Sequence, residues 1–411
     1  MTSGDMNTQA RKTARRTAGK TARKTDVVII GSGPAGLMLG HLLRQAGIGA
    51  VIVERQTRAH VEGRIRAGVL EDTTTHILDR LGINARMHAE GLPHGGFNLA
   101  NGERLVRIDV EGLTGRPVMV YGQTEVTRDL IDAAPGRGLD IAWEAEDVAL
   151  HDVETESPYI TFTTAGAPAR IDARFIAGCD GYHGPSRQVI PDSVARTFER
   201  VYPFGWLGIL ADVPPCNAEL IYANHERGFA LASMRSRTRS RYYIQVPIEE
   251  KPEDWPDDRL WDELEIRLGP DVAPHITRAP ALEKSIAPLR SFVFEPMRHG
   301  SLFLAGDAAH IVPPTGAKGL NLAASDVAYL SEALIGWFRN GTTAGIDGYS
   351  ERALARVWKS ERFSWQLTML MHRFPNDGPF ERRMQVAELE YIASSEAARK
   401  SIAENYVGLP L

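Results

Sequence analysis

The sequence is poor in cysteine and has no long hydrophobic run. Cys179 and Cys216 are the only cysteines among 411 residues, so a disulfide framework is excluded, and nothing beside them predicts a metal site. No stretch approaches the roughly 18 apolar residues that a membrane helix needs, and the N-terminus lacks the apolar core of a secretory signal. We therefore expect a cytoplasmic protein of two or three lobes that binds no metal and no membrane.

The N-terminal segment 1–24 is basic, whereas the rest of the chain is acidic. Seven positive charges stand against Asp5 in this segment, so it carries +6 and the remainder carries −11 of the net −5. Such a segment can bind nucleic acid or an anionic surface, or serve as a transit peptide, but it has no aromatic residues and no apolar face. We expect a disordered tail or a start-site artefact, and the acidic body argues against nucleic acid as a partner.

A glycine-rich turn lies between a predicted strand and a predicted helix. Gly31-Ser-Gly-Pro-Ala-Gly36 follows the apolar run Val27 to Ile30 and precedes an amphipathic stretch. In such a turn the first glycine allows the bend, Gly33 lets the backbone approach a pyrophosphate, and the last lets the helix pack on the strand. Glu54 follows a second predicted strand, where its carboxylate can accept ribose hydroxyls. The segment predicts a site for the ADP half of FAD or NAD.

Two further motifs favour FAD. Leu302-Phe-Leu-Ala-Gly-Asp307 is an apolar strand ending in a carboxylate that can bind the ribityl chain of a flavin, which NAD lacks. Gly178-Cys-Asp180-Gly181 also follows an apolar run, with Arg187 close behind. Farther along, aromatic and β-branched runs from about 201 to 246 predict an antiparallel sheet, and apolar residues at helical spacing after Pro313 predict a long helix.

Together these three motifs resemble those of the group A flavoprotein aromatic hydroxylases. The resemblance runs from about Asp26 to the C-terminus and is carried by the segments 63–70, 121–128, 198–206, 240–243, 312–321 and 404–410. It implies a mixed α/β fold in three parts. These are a Rossmann-like FAD-binding domain over 25–196, an antiparallel-sheet substrate domain over 197–311 whose end returns to the FAD site, and a C-terminal helical region over 312–411 that closes the flavin site and helps to form a homodimer.

The activity that the resemblance implies is a monooxygenation. NADPH and O₂ would be used to hydroxylate 4-hydroxybenzoate at the 3-position through a flavin C4a-hydroperoxide, giving 3,4-dihydroxybenzoate. A related hydroxylase of another phenolic acid, such as 3,4-dihydroxybenzoate or an aminobenzoate, is one alternative. A non-catalytic flavin-fold binding protein is another. Both alternatives predict the loss of Tyr222, Tyr406 or Arg235, and all three residues are present.

The resemblance also implies which residues contact the cofactors. For FAD they are Gly31, Gly33, Ala35, Gly36, Glu54, Arg64, Arg66, Gln123, Asp180, Arg241, Asp307, Lys318, Leu320 and Asn321. Ala35 stands where the family pattern often has serine. For NADPH they are Arg55, Gln56, His60, Arg64, His183 and Arg187. Several positive groups after Glu54 can meet a 2′-phosphate, which favours NADPH over NADH.

The substrate carboxylate requires a cation, and the resemblance implies Arg235. A planar guanidinium matches a carboxylate with two charge-assisted hydrogen bonds. The segment from Ser233 to Arg241 holds four arginines, and a regular strand would place every second residue from Ser233 on one face. A turn inside the segment would break that register. The other implied substrate contacts are Tyr222, Ser233, Met234, Tyr243, Pro314 and Thr315.

The substrate ring must be activated, because a phenolate is far more electron-rich than a phenol. The resemblance implies that Tyr222 hydrogen-bonds the substrate hydroxyl, Tyr406 hydrogen-bonds Tyr222, and His94 exchanges the proton with water. Histidine is the group whose charge changes near neutral pH. The backbone carbonyl of Pro314 is a further implied contact to the reacting oxygens.

Overall fold

The computed structural model describes residues 22–64, 68–101 and 104–411. Its strands are β1 (Ala22–Lys24), β2 (Val27–Ile30), β3 (Ala50–Val53), β4 (Val69–Leu70), β5 (Leu92–His94), β6 (Gly96–Ala100), β7 (Leu105–Asp109), β8 (Val118–Val120), β9 (Asp140–Ala142), β10 (Glu146–His151), β11 (Tyr159–Thr164), β12 (Ala167–Asp172), β13 (Phe175–Gly178), β14 (Arg196–Ala211), β15 (Ile221–Ala223), β16 (Ala230–Ser236), β17 (Arg239–Pro247), β18 (Glu283–Glu295), β19 (Arg298–His299), β20 (Leu302–Leu304) and β21 (His310–Ile311).

The helices fill the gaps between these strands and make up most of the chain after β21. They are α1 (Pro34–Gln45), α2 (Arg58–Gly63), α3 (Asp72–Leu81), α4 (Ala85–Glu90), α5 (Val110–Thr114), α6 (Gln123–Ala133), α7 (Asp257–Leu268), α8 (Gly319–Asn340), α9 (Ala344–Met371), α10 (Pro379–Ser394) and α11 (Glu396–Val407). No helix in the described ranges is long and apolar enough to cross a bilayer.

A six-stranded sheet forms the first layer, in the order β19-β20-β13-β2-β3-β9. Its strands are parallel except for β19 at one edge. Val27–Ile30 is buried at every position, as expected for a parallel strand covered by helices on both faces. Residues of α1, α3, α6, α8 and α9 complete this core.

An eight-stranded sheet forms the second lobe, in the order β21-β18-β14-β17-β16-β15-β6-β7. All neighbours are antiparallel except β6 and β15. One face packs beneath α7, and the other packs against α9, α10 and α11. The expected mixed α/β fold with a Rossmann-like layer, an antiparallel sheet and C-terminal helices is confirmed.

The sheets do not follow the predicted segments strictly. β6 and β7, from within 25–196, belong to the eight-stranded sheet, whereas β19 and β20, from within 197–311, belong to the parallel sheet. Ala22–Lys24, the last part of the segment 1–24 that we expected to be a disordered tail, instead forms a strand that pairs with β12. Residues 1–21 lie outside the described ranges. Cys179 is buried, and Cys216 is half-buried.

Candidate active site

The glycine turn has the geometry that a pyrophosphate requires. Gly31 has a φ of 102°, in the region that favours glycine. A Cβ on Gly36 would overlap the carbonyl oxygen of Gly31, so the helix could not approach the strand with any larger residue. A Cβ on Gly33 would meet nothing within 4 Å, and α1 begins there without a side-chain cap. The helix N-terminus therefore faces open space with its N–H groups free of a side-chain partner, which fits a bound phosphate.

Glu54 is fixed at the carboxyl end of β3, beside this turn. Its carboxylate accepts hydrogen bonds from the backbone N–H of Ser32 at 2.8 Å, from the Ser32 hydroxyl at 2.9 Å and from the N–H of Gln56 at 2.8 Å. A carboxylate offers about four lone-pair sites, so about one remains for a ribose hydroxyl. Ala35 is buried in the first turn of α1.

The three predicted FAD motifs converge at one edge of the parallel sheet. β2, β13 and β20 are neighbours, and the glycine turn, Gly178–Asp180 and Gly306–Asp307 follow their carboxyl ends. Asp307 is exposed, although Gly306 and Ala308 on either side are buried. Ligands of open α/β sheets bind at this edge. These residues therefore fit the ribose, pyrophosphate and ribityl parts of FAD.

Asp180 and Arg187 connect two of these motifs. One Asp180 oxygen accepts a hydrogen bond from the Ser186 N–H at 2.8 Å, and the other is buried without a partner among the described residues. Burial raises the pKa of Asp180. Arg187 donates to the carbonyl of Ala308 at 2.9 Å and to that of Tyr182 at 2.7 Å. It therefore ties the segment after β13 to the turn that holds Asp307.

Sequence reasoning missed the ion pair beneath that turn. Asp326 of α8 accepts from the Gly306 N–H at 2.9 Å and from His310 Nε2 at 2.6 Å, and both side chains are 1% exposed. Burial alone would lower the pKa of His310, but the Asp326 carboxylate raises it. The sequence signal for this ion pair is the acidic residue Asp326, which lies among the apolar positions of the predicted helix.

The predicted arginine-rich strand is instead a hairpin. β16 ends at Ser236, residues 237–238 turn, and β17 begins at Arg239. The second of the two possibilities therefore holds, because the turn breaks the register of a single face, reverses the chain and pairs Ser233 with Arg241. Arg237 lies exposed in the turn. The exposed Arg239 pairs with Asp212 at 2.6 Å.

Arg235 is a half-buried cation with incomplete hydrogen bonding. Its Nη1 donates to the Ser233 hydroxyl at 3.4 Å and to the carbonyl of Met234 at 3.1 Å, and both partners are neutral. Its Nε is buried with no hydrogen-bond partner in the described part of the chain. Burial lowers the pKa of Arg235. Since a buried charge is costly unless it is paired, this environment fits an anionic ligand.

Arg241 and Tyr243 lie on the same face of the sheet, next to Arg235. Arg241 is buried and lies 3.3 Å from a carboxylate oxygen of Glu283. Its guanidinium carbon lies 5.1 Å from the centre of the Tyr243 ring. Tyr243 is half-buried and pairs with Leu231 across β16.

Tyr222 and Tyr406 form the predicted pair. Their hydroxyl oxygens are 3.2 Å apart and both residues are 1% exposed, although β15 and α11 are far apart in sequence. Phe97 stacks on Tyr406 with ring centres 4.1 Å apart. Burial raises the pKa of Tyr222 to about 12, although the hydrogen bond from Tyr406 opposes this. Burial also raises the pKa of Tyr406.

His94 lies at the end of β5, outside this tyrosine pair. The residue is 4% exposed, and its Nδ1 has no hydrogen-bond partner in the described ranges. Burial lowers the pKa of His94, and the charge of Glu219 opposes that effect. The imidazole is therefore neutral at pH 7, so it is able to accept a proton.

The loop before α8 brings the remaining predicted flavin neighbours together. Pro314–Gly316 forms a 3₁₀ turn, in which the Thr315 hydroxyl lies 2.9 Å from that of Thr368. α8 then begins at Gly319 with no side-chain cap, so its partly positive N-terminus has no side-chain acceptor. Leu320 is half-buried in its first turn.

Lys318 and Asn321 make their hydrogen bonds inside the protein. Lys318 Nζ donates to Glu71 at 2.6 Å and to the backbone carbonyl of Tyr406 at 2.9 Å. Burial lowers the pKa of Lys318, and Glu71 opposes that effect. The Asn321 amide donates to the carbonyls of Val69 and Ala317 at 2.8 and 2.9 Å. These two side chains therefore fix the start of α8, and Glu71 is a partner that sequence reasoning missed.

The expected nucleotide contacts lie on two separate elements. Arg55, Gln56 and His60 surround the start of α2, which packs on α6. The carbonyl of Arg64 accepts from Thr124, next to Gln123 at the start of α6, at 2.8 Å. His183 and Arg187 instead belong to the segment after β13. Arg66 lies outside the described residues.

An aromatic cluster that sequence reasoning missed lies beside Tyr243. His372 Nε2 accepts from the indole N–H of Trp206 at 2.7 Å, and its ring stacks on Phe204 and Phe229. Burial lowers the pKa of His372 to about 3, so the ring remains neutral and accepts the indole hydrogen bond at any physiological pH. Trp206 is also 5.2 Å from the ring of Tyr243.

Comparisons with known proteins agree with this geometry. A profile described as FAD binding domain matches residues 24–364. A p-hydroxybenzoate hydroxylase from Acinetobacter baylyi is 56% identical over 388 residues, covering 94% of this chain and 96% of that protein. A para-nitrophenol 4-monooxygenase from Pseudomonas sp. strain WBC-3 is 27% identical, covering 79% of this chain and 81% of that protein.

A solved structure extends the likeness to the fold. The p-nitrophenol 4-monooxygenase of Pseudomonas putida DLL-E4 superposes with a TM-score of 0.80 at 18% sequence identity, covering 95% of this chain and all of that one. At this identity the superposition shows the shared fold alone.

Proposed function

The chain belongs to the FAD binding domain family and is a flavin aromatic monooxygenase, and from this premise we propose that it hydroxylates 4-hydroxybenzoate at the 3-position with NADPH and O₂. The product is 3,4-dihydroxybenzoate. The relative with 56% identity carries the corresponding name, and the site supplies chemical reasons for the same substrate.

The observation that carries this proposal is the incompletely hydrogen-bonded Arg235, which is half-buried near the end of the strand that pairs with Tyr222. Tyr222 pairs with Leu231 on β16, and Ser233 lies two residues farther along the same face. Arg235 follows at an irregularity of the strand and donates to the Ser233 hydroxyl at 3.4 Å. The strand therefore offers a phenolic hydroxyl and a cation separated along its length. 4-Hydroxybenzoate has a carboxylate and a phenol at opposite ends of its ring, so it can satisfy both groups.

The tyrosine pair accounts for activation of the ring. With a pKa of about 12, Tyr222 keeps its proton at neutral pH and donates it in a hydrogen bond to the substrate oxygen. When the substrate phenol gives its proton to Tyr222, Tyr222 gives its own to Tyr406 and Tyr406 gives its own outward, so that both O–H directions reverse and one proton leaves the pair. His94, which is neutral at pH 7, is the next acceptor toward solvent in this scheme. The resulting phenolate is the form that reacts ortho to its oxygen.

The residues at the edge of the parallel sheet fit FAD. We infer that the N-terminus of α1 holds the pyrophosphate, Glu54 a ribose hydroxyl and Asp307 the ribityl chain. Bound FAD would accept a hydride from the nicotinamide and activate O₂. The loop Pro314–Gly316 and the start of α8 would shield the reacting ring from water, which would otherwise divert the activated oxygen.

NADPH is the reductant that the charges favour. Arg55 and His60 are exposed near the C-terminal edge of β3, where they can meet a 2′-phosphate. Arg58 is committed to Glu62 and Asp132, so it is a weaker candidate. We also propose a cytoplasmic location, where this reduced nucleotide is supplied and two unpaired cysteines are tolerated.

We further propose that the protein forms a homodimer through its C-terminal helices. Phe380, Met384 and Tyr391 of α10 are 69%, 47% and 55% exposed, and Trp365 of α9 is 40% exposed. Large exposed apolar side chains of this kind mark protein interfaces. Light scattering of the purified protein tests this, and Phe380→Glu with Tyr391→Glu is expected to give monomers.

A single assay tests the proposed reaction. The FAD-loaded protein is given O₂, either NADPH or NADH, and a panel of 4-hydroxybenzoate, 3,4-dihydroxybenzoate and 4-aminobenzoate. We expect 3,4-dihydroxybenzoate from the first compound, with a higher kcat/KM for NADPH. Turnover of another panel member alone would favour the related-hydroxylase alternative, and substrate binding without turnover would favour a binding protein.

A further inference from the structure

Two arginines from distant elements hold the segment Gly408–Leu411, which follows α11. Arg356 of α9 donates from Nη1 to the carbonyl of Leu409 and, at 3.0 Å, to that of Pro410. Arg116 donates to the first carbonyl of the segment at 3.3 Å. Arg356 is only 6% exposed. A buried cation is thus used largely to bind backbone carbonyls.

The same arginine ends a row of charges that reaches Tyr406. Its Nη2 lies 3.5 Å from Glu71 Oε2, and the other Glu71 oxygen accepts from Lys318 at 2.6 Å. Lys318 donates in turn to the backbone carbonyl of Tyr406 at 2.9 Å. Arg356 therefore binds the chain that follows Tyr406 directly. It is also linked to the backbone carbonyl of Tyr406 itself through Glu71 and Lys318.

Gly408 allows this segment to pack directly against the carboxylate of Glu71. Its φ is 100°, and a Cβ at this position would overlap the Glu71 carboxylate. The position therefore requires glycine for both conformation and space. Tyr406 lies only two residues earlier, so displacement of the segment would be transmitted directly to the end of α11.

We propose that Arg356 is a positioning residue that keeps the Tyr406 hydroxyl within hydrogen-bond reach of Tyr222. This rests on the proton transfer put forward under Proposed function. The Tyr222–Tyr406 distance is 3.2 Å, beyond the usual range of about 2.5–3.0 Å for O–H···O bonds, so a small further displacement breaks the contact. Arg356 touches neither tyrosine hydroxyl and acts through the backbone around Tyr406.

A double-mutant comparison tests this role. The FAD-loaded wild type, Arg356→Met, Tyr406→Phe and the double variant are each saturated with 4-hydroxybenzoate, and phenolate absorbance is followed against pH. We expect Arg356→Met to raise the midpoint by roughly half to one pH unit, a three- to tenfold loss of phenolate below the midpoint. Tyr406→Phe should raise it at least as far, and the double variant should match Tyr406→Phe alone.

The matched control is Arg352→Met, one helical turn earlier on α9. Arg352 is exposed and pairs with Glu332 at 2.8 Å, so its loss removes an arginine from the same helix without touching the segment. It should leave the midpoint unchanged. Hydrogen exchange of residues 404–411 gives a second readout, and faster exchange is expected in Arg356→Met only.

The outcomes separate the two proposals. If the pH midpoint of phenolate absorbance is unchanged in Arg356→Met but raised in Tyr406→Phe, only the positioning role is overturned. Additive shifts in the double variant also overturn it, because they show that the arginine charge acts on the substrate independently of Tyr406. An unshifted Tyr406→Phe overturns the proton transfer and the positioning role together. Should Arg356→Met fail to fold, Arg356→Lys is expected to give a smaller shift in the same direction, and no shift overturns the role.

Discussion

Arg235, the residue that we propose binds the substrate carboxylate, has an environment that would favour binding at the expense of stability. Its guanidinium is half-buried against neutral partners, with Nε buried and unbonded in the described structure. Without a ligand this arrangement is unfavourable, because removing a charge from water costs free energy that only an ionic partner or full hydrogen bonding recovers. The substrate carboxylate is therefore expected to supply what the folded chain does not.

We expect Arg235→Ala to weaken 4-hydroxybenzoate binding strongly. A hydrogen bond to a charged group contributes about 1.5–3 kcal/mol, so the dissociation constant should rise roughly 10- to 150-fold. The melting temperature of the substrate-free protein should change little, because two effects oppose each other. Loss of the packing of the side-chain stem destabilises the protein, whereas removal of a poorly paired charge stabilises it. Titration followed by flavin fluorescence measures the affinity.

Arg237→Ala is the matched control for that variant. Arg237 lies exposed in the turn of the same hairpin, so its loss should leave substrate affinity unchanged. Equal affinities of Arg235→Ala and wild type would remove Arg235 from the site. FAD content should be the same in all three proteins.

At the scale of elements, the glycine turn between β2 and α1 contains two glycines, Gly33 and Gly36, that are needed for different reasons. Gly33 has φ −69° and ψ 175°, which any residue adopts, and its missing side chain leaves open space. Gly36 instead makes room for the carbonyl of Gly31 within the fold. The first position therefore serves the ligand, and the second serves the packing of α1 on β2.

We expect alanine at these two positions to give opposite results. Gly33→Ala should leave unfolding of the apoprotein nearly unchanged but weaken FAD binding about tenfold or more, because the methyl group occupies the approach of the pyrophosphate. Gly36→Ala should lower the free energy of unfolding of the apoprotein by about 1–3 kcal/mol through overpacking. Urea denaturation and FAD titration distinguish the two effects, and unaltered FAD affinity in Gly33→Ala would contradict the pyrophosphate assignment.

Elements with strong local signals could be predicted from the sequence. The turn from Gly31 to Gly36, the strand before it and the long helix α8 follow from apolar periodicity and glycine spacing, because these depend on neighbouring residues. The sequence left open whether a turn interrupts the segment 233–241, because neither Arg237 nor Thr238 is a glycine or proline that would mark the turn. The pairing of β6 with β15 was also missed, because no local pattern specifies a partner more than a hundred residues away.

The same limit applied within the site. The tyrosine pair and Arg235 were available through likeness of whole segments to a family. The Asp326–His310 pair and the Glu71–Arg356 contact were not, because buried ion pairs depend on distant elements that close around them. A charged residue within an apolar stripe is the only local trace of such a pair.

At the scale of the whole molecule, Glu361 links stability to pH. It lies buried in α9, and neither carboxylate oxygen has a hydrogen-bond partner in the described ranges. Burial raises its pKa to about 7, while Ser291 and His310 oppose this. The unfolded chain ionises it near pH 4.3. The folded state therefore binds this proton more tightly, and its stabilising contribution is lost as pH rises through about 7.

We expect Glu361→Gln to flatten the dependence of stability on pH. Wild type should lose up to about 3 kcal/mol of unfolding free energy from this group between pH 4 and pH 8, and the variant should not. Denaturation at several pH values measures the difference. Glu351→Gln, an exposed site on the same helix, serves as control. A wild-type slope in Glu361→Gln would mean that other groups cause the dependence.

The interleaving of the two sheets has a consequence for recombination between related enzymes. The chain enters the eight-stranded sheet three separate times, at Gly96–Asp109, at Arg196–Glu295 and at His310–Ile311. A crossover that exchanged only the central block would leave β15 from one parent pairing with β6 from the other, directly beside Tyr222. Exchange of substrate preference by gene shuffling therefore requires at least the first two segments to be inherited together, although an entire stretch of the cofactor lobe lies between them.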